Sequence, residues 1–197
     1  MPAPLNPQPI QQVVLTDANV LYSRVLRDYL LYAAEYRIIA LAWSRSIIDE
    51  VCEHLIANLP TFTTESANRL ISAMNETFPF AERNPQQEHF ERIAQLNLPD
   101  EDDRHVIAAA LAAEADIVCT ANIADFPQQI TKELGFVVMT PQELICQLIM
   151  THPDTMLLVH KTAIANLPGA TDQSTLEALR RAGAPKAAIA ITQLITP

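Results

Sequence analysis

The sequence predicts an α/β fold built on a mostly parallel sheet, followed by an all-helical segment. Three observations carry this. Short apolar runs of strand length, at 13–16, 37–43, 116–120 and 136–139, are separated by stretches of helical periodicity. After His152-Pro153 the pattern is helix only, with no further strand. The 197 residues are 49% hydrophobic and 18% charged, which suits one core of ordinary size with a small appendage.

The first run ends at Asp17, and 25–35 then reads as a helix leading to the second run. Residues 44–58 form the next helix, with Ile47, Ile48, Val51, Cys52, Leu55, Ile56 and Leu59 at helical spacing. Thr63 or Thr64 caps a helix reaching Phe78, and 86–96 is a weaker helical stretch. The alanine-rich segment 102–114 is strongly helical and delivers the chain to the third run. A short helix at 128–134 precedes the last run, and 141–150 opens with Pro141, which a first helical turn tolerates. In the tail, 153–166, 174–182 and 185–192 read as helices, with Gly183 as the stop of the middle one. The expected division is an α/β domain at 1–150 and a helical C-terminal extension at 151–197.

Several function classes are excluded by simple counting. Only three glycines occur, Gly135, Gly169 and Gly183, so neither GxGxxG nor a Walker P-loop exists. Cys52, Cys119 and Cys146 are never spaced as CxxC and lie in apolar segments, so they read as buried thiols and not as disulfides or a zinc knuckle. No apolar stretch approaches the roughly 18–20 residues that span a bilayer, and residues 1–12 lack the basic cluster of a secretory signal. The expected location is cytoplasmic, with no membrane partner. The formal charge of −10 runs against easy nucleic-acid binding. Ten of the thirteen basic residues, however, are arginine, the better phosphate fork, and bound metal would offset part of the negative charge.

The acids carry the chemistry. Oxygen ligands at the ends of separate elements can converge on a divalent cation that activates water. Asp17 lies just past the first strand, where open α/β sheets bind ligands, although a turn or helix cap suits it equally. Asp103 shares a helix face with Val106, Ile107, Ala110 and Leu111, so a carboxylate there faces the sheet and calls for a cation, a partner or a proton. Capping needs one acid, yet Asp100, Glu101, Asp102 and Asp103 crowd together. Glu50 falls near the polar side of its helix, where solvation is the plain reading, and His54 four residues on adds little. Asn122 follows its strand as Asp17 follows the first, with Asp125 three residues later; turn formation accounts for both equally well. His105 stands close enough to Asp103 to support it.

The segments Thr16-Asp17-Ala18-Asn19-Val20-Leu21, Trp43-Ser44 through Glu50, Leu98-Pro99-Asp100-Glu101-Asp102-Asp103-Arg104-His105-Val106, and Thr120-Ala121-Asn122-Ile123-Ala124-Asp125-Phe126 together resemble the PIN-domain family. The resemblance runs over 13–150 and is nearest to the VapC-type toxin ribonucleases of bacterial toxin–antitoxin pairs; Thr175 to Gly183 resembles a helical extension of one VapC subgroup. It implies a PIN-like three-layer fold in which Asp17, Glu50 and Asp103 bind Mg²⁺ or Mn²⁺. Asn122 stands at the fourth acidic position, where it keeps an oxygen but loses a charge that Asp125 can replace. Asp100, Asn19 and Thr120 take supporting places. The implied activity is cleavage of single-stranded RNA. Arg24, Arg27, Arg45 and Arg104, near the acidic motifs in sequence, are candidates for steering phosphate. The implied partners are an RNA substrate and an inhibitory antitoxin, and a homodimer is compatible.

Two other classes compete. Asp17-Ala18-Asn19 superficially resembles the Asp-x-Asp loop of haloacid-dehalogenase-type phosphatases, but Asn19 breaks the pair and no lysine stands in a convincing context. The other is an inactive interaction module whose acids only cap helices and shape turns. Metal binding separates it from the enzymes.

Overall fold

The computed structural model describes residues 11–196, so most of the opening segment read above as lacking a secretory signal lies outside the described residues. Four strands, β1 (Val13–Thr16), β2 (Ala40–Ala42), β3 (Ile117–Cys119) and β4 (Val137–Met139), form a sheet in the order β2-β1-β3-β4. Every pairing is parallel: Val14 pairs with Leu41 on one side and Ile117 on the other, and Val118 pairs with Val138. Val14, Leu15, Ile117 and Val118 are buried, which is why β1 and β3 read as unbroken apolar runs rather than as alternation. The chain leaves β1 for one edge of the sheet and later returns to β3 on the other side. This reversal opens a crevice at the carboxyl ends of β1 and β3, the usual ligand position in such sheets.

The helices follow from local sequence chemistry. α1 (Ala18–Tyr22) and α2 (Arg24–Glu35) meet at Ser23, whose extended backbone separates them. α3 (Arg45–Asn58) starts where Ser44 accepts a hydrogen bond from the Ile47 N–H, and α4 (Thr64–Thr77) where Thr63 accepts from Ser66. α5 (Gln87–Ile93), α6 (Arg104–Ala112) and α7 (Gln128–Leu134) follow, and Gly135 closes α7 at a φ of 94°, a left-handed conformation that glycine adopts without strain. In α8 (Pro141–Thr151), Thr140 and Glu143 form a reciprocal capping box behind Pro141. The tail comprises α9 (Pro153–Ala165), α10 (Asp172–Arg181) and α11 (Pro185–Ile195).

Several boundaries differ from the sequence expectation. The second strand spans only Ala40–Ala42, because the chain turns at Arg37, which has a φ of 60°. α6 begins at Arg104, two residues later than expected, and ends at Ala112 before Glu114 at a φ of 49°. The short α1 and a 3-10 turn at Ile123–Asp125 were not expected. Of the thiols, Cys52 and Cys119 are buried, but Cys146 is only half-buried.

The C-terminal helices dock on the sheet-bearing part: α9 packs against α2 and α11 against α8, so Val159, Leu179 and Ile191 join one continuous core with Leu30 and Leu148. A polar chain, buried at Tyr29 and His160 and exposed at Asp172, crosses this contact. His160 donates from Nε2 to Asp172 Oδ1 at 2.9 Å, which leaves Nδ1 to accept from the Tyr29 hydroxyl. Burial lowers the His160 pKa and so favours the neutral ring that this arrangement requires. Among the described residues no helix is long and apolar enough to cross a membrane.

Candidate metal centre

Asp17 follows β1 directly, and its backbone N–H still bonds the Cys119 carbonyl of β3 at 3.0 Å, fixing it in the crevice between the two strands. Its side chain is 4% exposed. Three donors hold it: the Ala18 N–H reaches Oδ1 at 2.6 Å, while Asn19 Nδ2 and the Thr120 hydroxyl reach Oδ2 at 2.6 and 2.7 Å. The bond to Ala18 makes Asp17 the cap of α1, so both sequence readings of this residue hold at once. Burial nevertheless raises its pKa against all three bonds.

Thr120 and Asn19 lock the two strand ends together. The Thr120 hydroxyl donates to Asp17 and accepts from Asn19 Nδ2 and from the Asn122 N–H, both at 3.0 Å, which uses its one proton and both lone pairs. Asn19 Oδ1 accepts from the Ala121 N–H at 3.0 Å. Thus β1 and β3 present one braced edge.

Two further acids stand in the field of Asp17. Glu50, on α3, has its pKa raised by burial and then by Asp17. Asp103 is raised to about 6 by burial, with Asp17, Asp125 and Asp100 adding to it. Asp103 is the residue before α6, not inside it as expected; its side chain makes no capping bond and is free to face the crevice. Asp100 accepts from the Asp102 N–H and so also shapes the preceding turn. Asn122 is exposed and tied in through its backbone, while Asp125 closes the 3-10 turn beside it.

Sequence reasoning gave His105 only a supporting place. Its Nδ1 donates to the Asp102 carbonyl at 2.6 Å, since a carbonyl can only accept. Its Nε2 lies 3.7 Å from a Glu50 oxygen and is a buried atom without a hydrogen-bond partner. His54 instead packs edge-on to Tyr22.

Each of the four candidate arginines has a partner within the described residues. Arg104 binds Glu101 and the carbonyls of Ile93 and Leu96, stapling the loop before α6. Arg27 donates to the Leu21 carbonyl, Arg45 pairs with Asp49, and Arg24 pairs loosely with Asp28 at 3.5 Å.

Among the described residues no three acids, histidines or cysteines stand close enough to form a finished metal cage. The donor chemistry fits a hard divalent cation: carboxylate oxygens at Asp17, Glu50 and Asp103, with the pKa of the last two raised by burial and then by Asp17.

A family model for the PIN domain matches residues 13–124, which contain Asp17, Glu50, Asp103 and Asn122. No curated protein and no solved structure matches the chain. With a parallel β2-β1-β3-β4 sheet, flanking helices and buried Asp17 at its carboxyl edge, the chain belongs to the PIN domain family, whose members are typically metal-dependent nucleases.

Proposed function

We propose that this protein is a cytoplasmic, Mg²⁺- or Mn²⁺-dependent endoribonuclease that hydrolyses single-stranded RNA, and that it is the toxin of a toxin–antitoxin pair. The observation that carries the nuclease reading is Asp17: a buried carboxylate at the sheet's switch point, braced by three donors, whose charge adds to the burial that raises the pKa of Glu50 and Asp103. Such a set is costly to keep ionised unless a cation is its normal occupant.

Asp17, Glu50 and Asp103 would hold the divalent ion, which would lower the pKa of a bound water and offset charge developing on the phosphate. The chain's own residues do the rest. Ala18, Asn19 and Thr120 orient Asp17, so its carboxylate need not reorganise during the reaction. His105, with its Nδ1 proton committed to Asp102, keeps Nε2 towards Glu50. Asn122 offers an amide oxygen without charge, and Asp125 supplies the charge nearby. The phosphatase reading is disfavoured because the residue two beyond Asp17 is an amide already bonded to Asp17 and Ala121. An antitoxin in this scheme covers the acidic crevice.

The test is incubation of the full chain with single-stranded RNA in magnesium, manganese or EDTA. The expected result is metal-dependent cleavage leaving 5′-phosphate and 3′-hydroxyl ends, lost in Asp17→Asn and Asp103→Asn. Activity that survives both substitutions contradicts the assignment.

A further inference from the structure

A groove of about 1000 Å³ runs away from the acidic crevice and has one wall from each part of the chain. Asn19, Tyr22, Arg24 and Ala121 form the wall beside α1, and Gly169 and Arg181 belong to the wall made by α10 and the loop before it. The groove is continuous with the candidate centre, because Asn19 lines it while bonding Asp17, and Ala121 lines it while bonding Asn19.

Its charge differs from that of the protein as a whole. In a chain of net charge −10, Arg24 and Arg181 both reach this groove. Arg24 keeps an exposed side chain, and its tie to Asp28, which also lines the groove, is long at 3.5 Å. Arg181 is exposed at the last turn of α10 and makes no ion pair with any described residue. The lining between them is largely apolar, with half-buried Tyr22 on the α1 side. Cations at the edges and an aromatic, apolar floor are what a single strand needs, since phosphates take the cations and bases lie on the rings.

We propose that this groove binds the single-stranded RNA flank next to the scissile phosphate, with Arg181 of the helical extension on a backbone phosphate and Tyr22 under a base. The proposal rests on the ribonuclease reading and gives the extension at 151–197 a role in substrate binding. Arg24 acts with Arg181, and the groove holds the strand without any metal ligand.

The experiment is fluorescence anisotropy of the full chain with a labelled single-stranded RNA of about 12 nucleotides, in EDTA so that nothing is cut, across a series of KCl concentrations. Loss of one phosphate contact lowers the salt slope by about 0.7, or roughly fivefold in affinity near 0.1 M salt. Arg181→Ala is expected to show this loss, Arg181→Lys to keep the slope, and Arg180→Ala, on the same helix end but outside the groove, to bind like the unaltered protein. Thermal unfolding of each variant separates lost binding from lost fold. Equal affinity and slope for Arg181→Ala and Arg180→Ala overturn the inference, as a groove used by a protein segment would give. Absence of RNA binding in EDTA overturns it too. In both cases the ribonuclease reading still stands or falls on the cleavage assay alone.

Discussion

The Thr120 hydroxyl donates to Asp17 Oδ2 at 2.7 Å across 103 positions of sequence, joining the ends of β1 and β3 at the site. A hydrogen bond to a carboxylate contributes about 1.5–3 kcal/mol, and one pKa unit corresponds to about 1.4 kcal/mol. Thr120→Val keeps the shape and removes this donor, so the Asp17 pKa rises further. The acidic limb of the pH–rate profile is expected to move up by about one unit, with activity at alkaline pH less affected. An unmoved limb would show that Thr120 does not tune Asp17.

Stability without metal should depend on pH through Asp103. Its folded pKa of about 6 lies above its ordinary 3.8, so the stability it lends is complete below the lower value and lost as pH rises through the higher one. In EDTA the Tm is therefore expected to fall as pH rises from 3.8 towards about 6, and Asp103→Asn to flatten that fall. Magnesium or manganese should restore the Tm at neutral pH. Thermal melts with and without EDTA check each part.

Much of this fold is legible in the sequence, and what is not depends on contacts between elements. β1 and β3 are continuous apolar runs because parallel strands are covered on both faces, and the helical stripes of α3 and α8 are plain. Helical periodicity reports only which face is apolar. It put Glu50 on a solvated side, yet the crossing of α3 over α1 brings that edge into the field of Asp17. It also set Asp103 inside α6, whereas the residue precedes the helix with its side chain free of capping. Arg104, a phosphate candidate from its neighbours in sequence, also holds the carbonyls of Ile93 and Leu96, contacts that no local pattern encodes. Arg181, proposed above for a backbone phosphate, is remote in sequence from the acids and lies in the segment that resembles a helical extension.

Arg104→Ala should accordingly act on the fold. The substitution leaves two carbonyls without their donor and frees Glu101, at a cost of about 1–3 kcal/mol. A lower Tm with an unchanged salt slope for RNA binding is expected. A changed slope with an unchanged Tm would return Arg104 to the phosphate-binding set.

Tyr29→Phe should loosen the tail. The Tyr29 hydroxyl is the donor to His160 Nδ1, and both residues are fully buried, so its removal strands an acceptor and costs about 1–3 kcal/mol. The Tm should fall by several degrees, and hydrogen exchange should speed up first in α9 and α10. Uniform loss of protection across the sheet as well would contradict a local staple.

Manganese binding, followed by electron paramagnetic resonance, is the most direct test of whether Asp17 and Asp103 form one cation site. The unaltered protein is expected to take up Mn²⁺, and the double variant Asp17→Asn with Asp103→Asn to leave the ion free in solution while still folded. Equal uptake by both proteins, or none by either, would contradict a shared site.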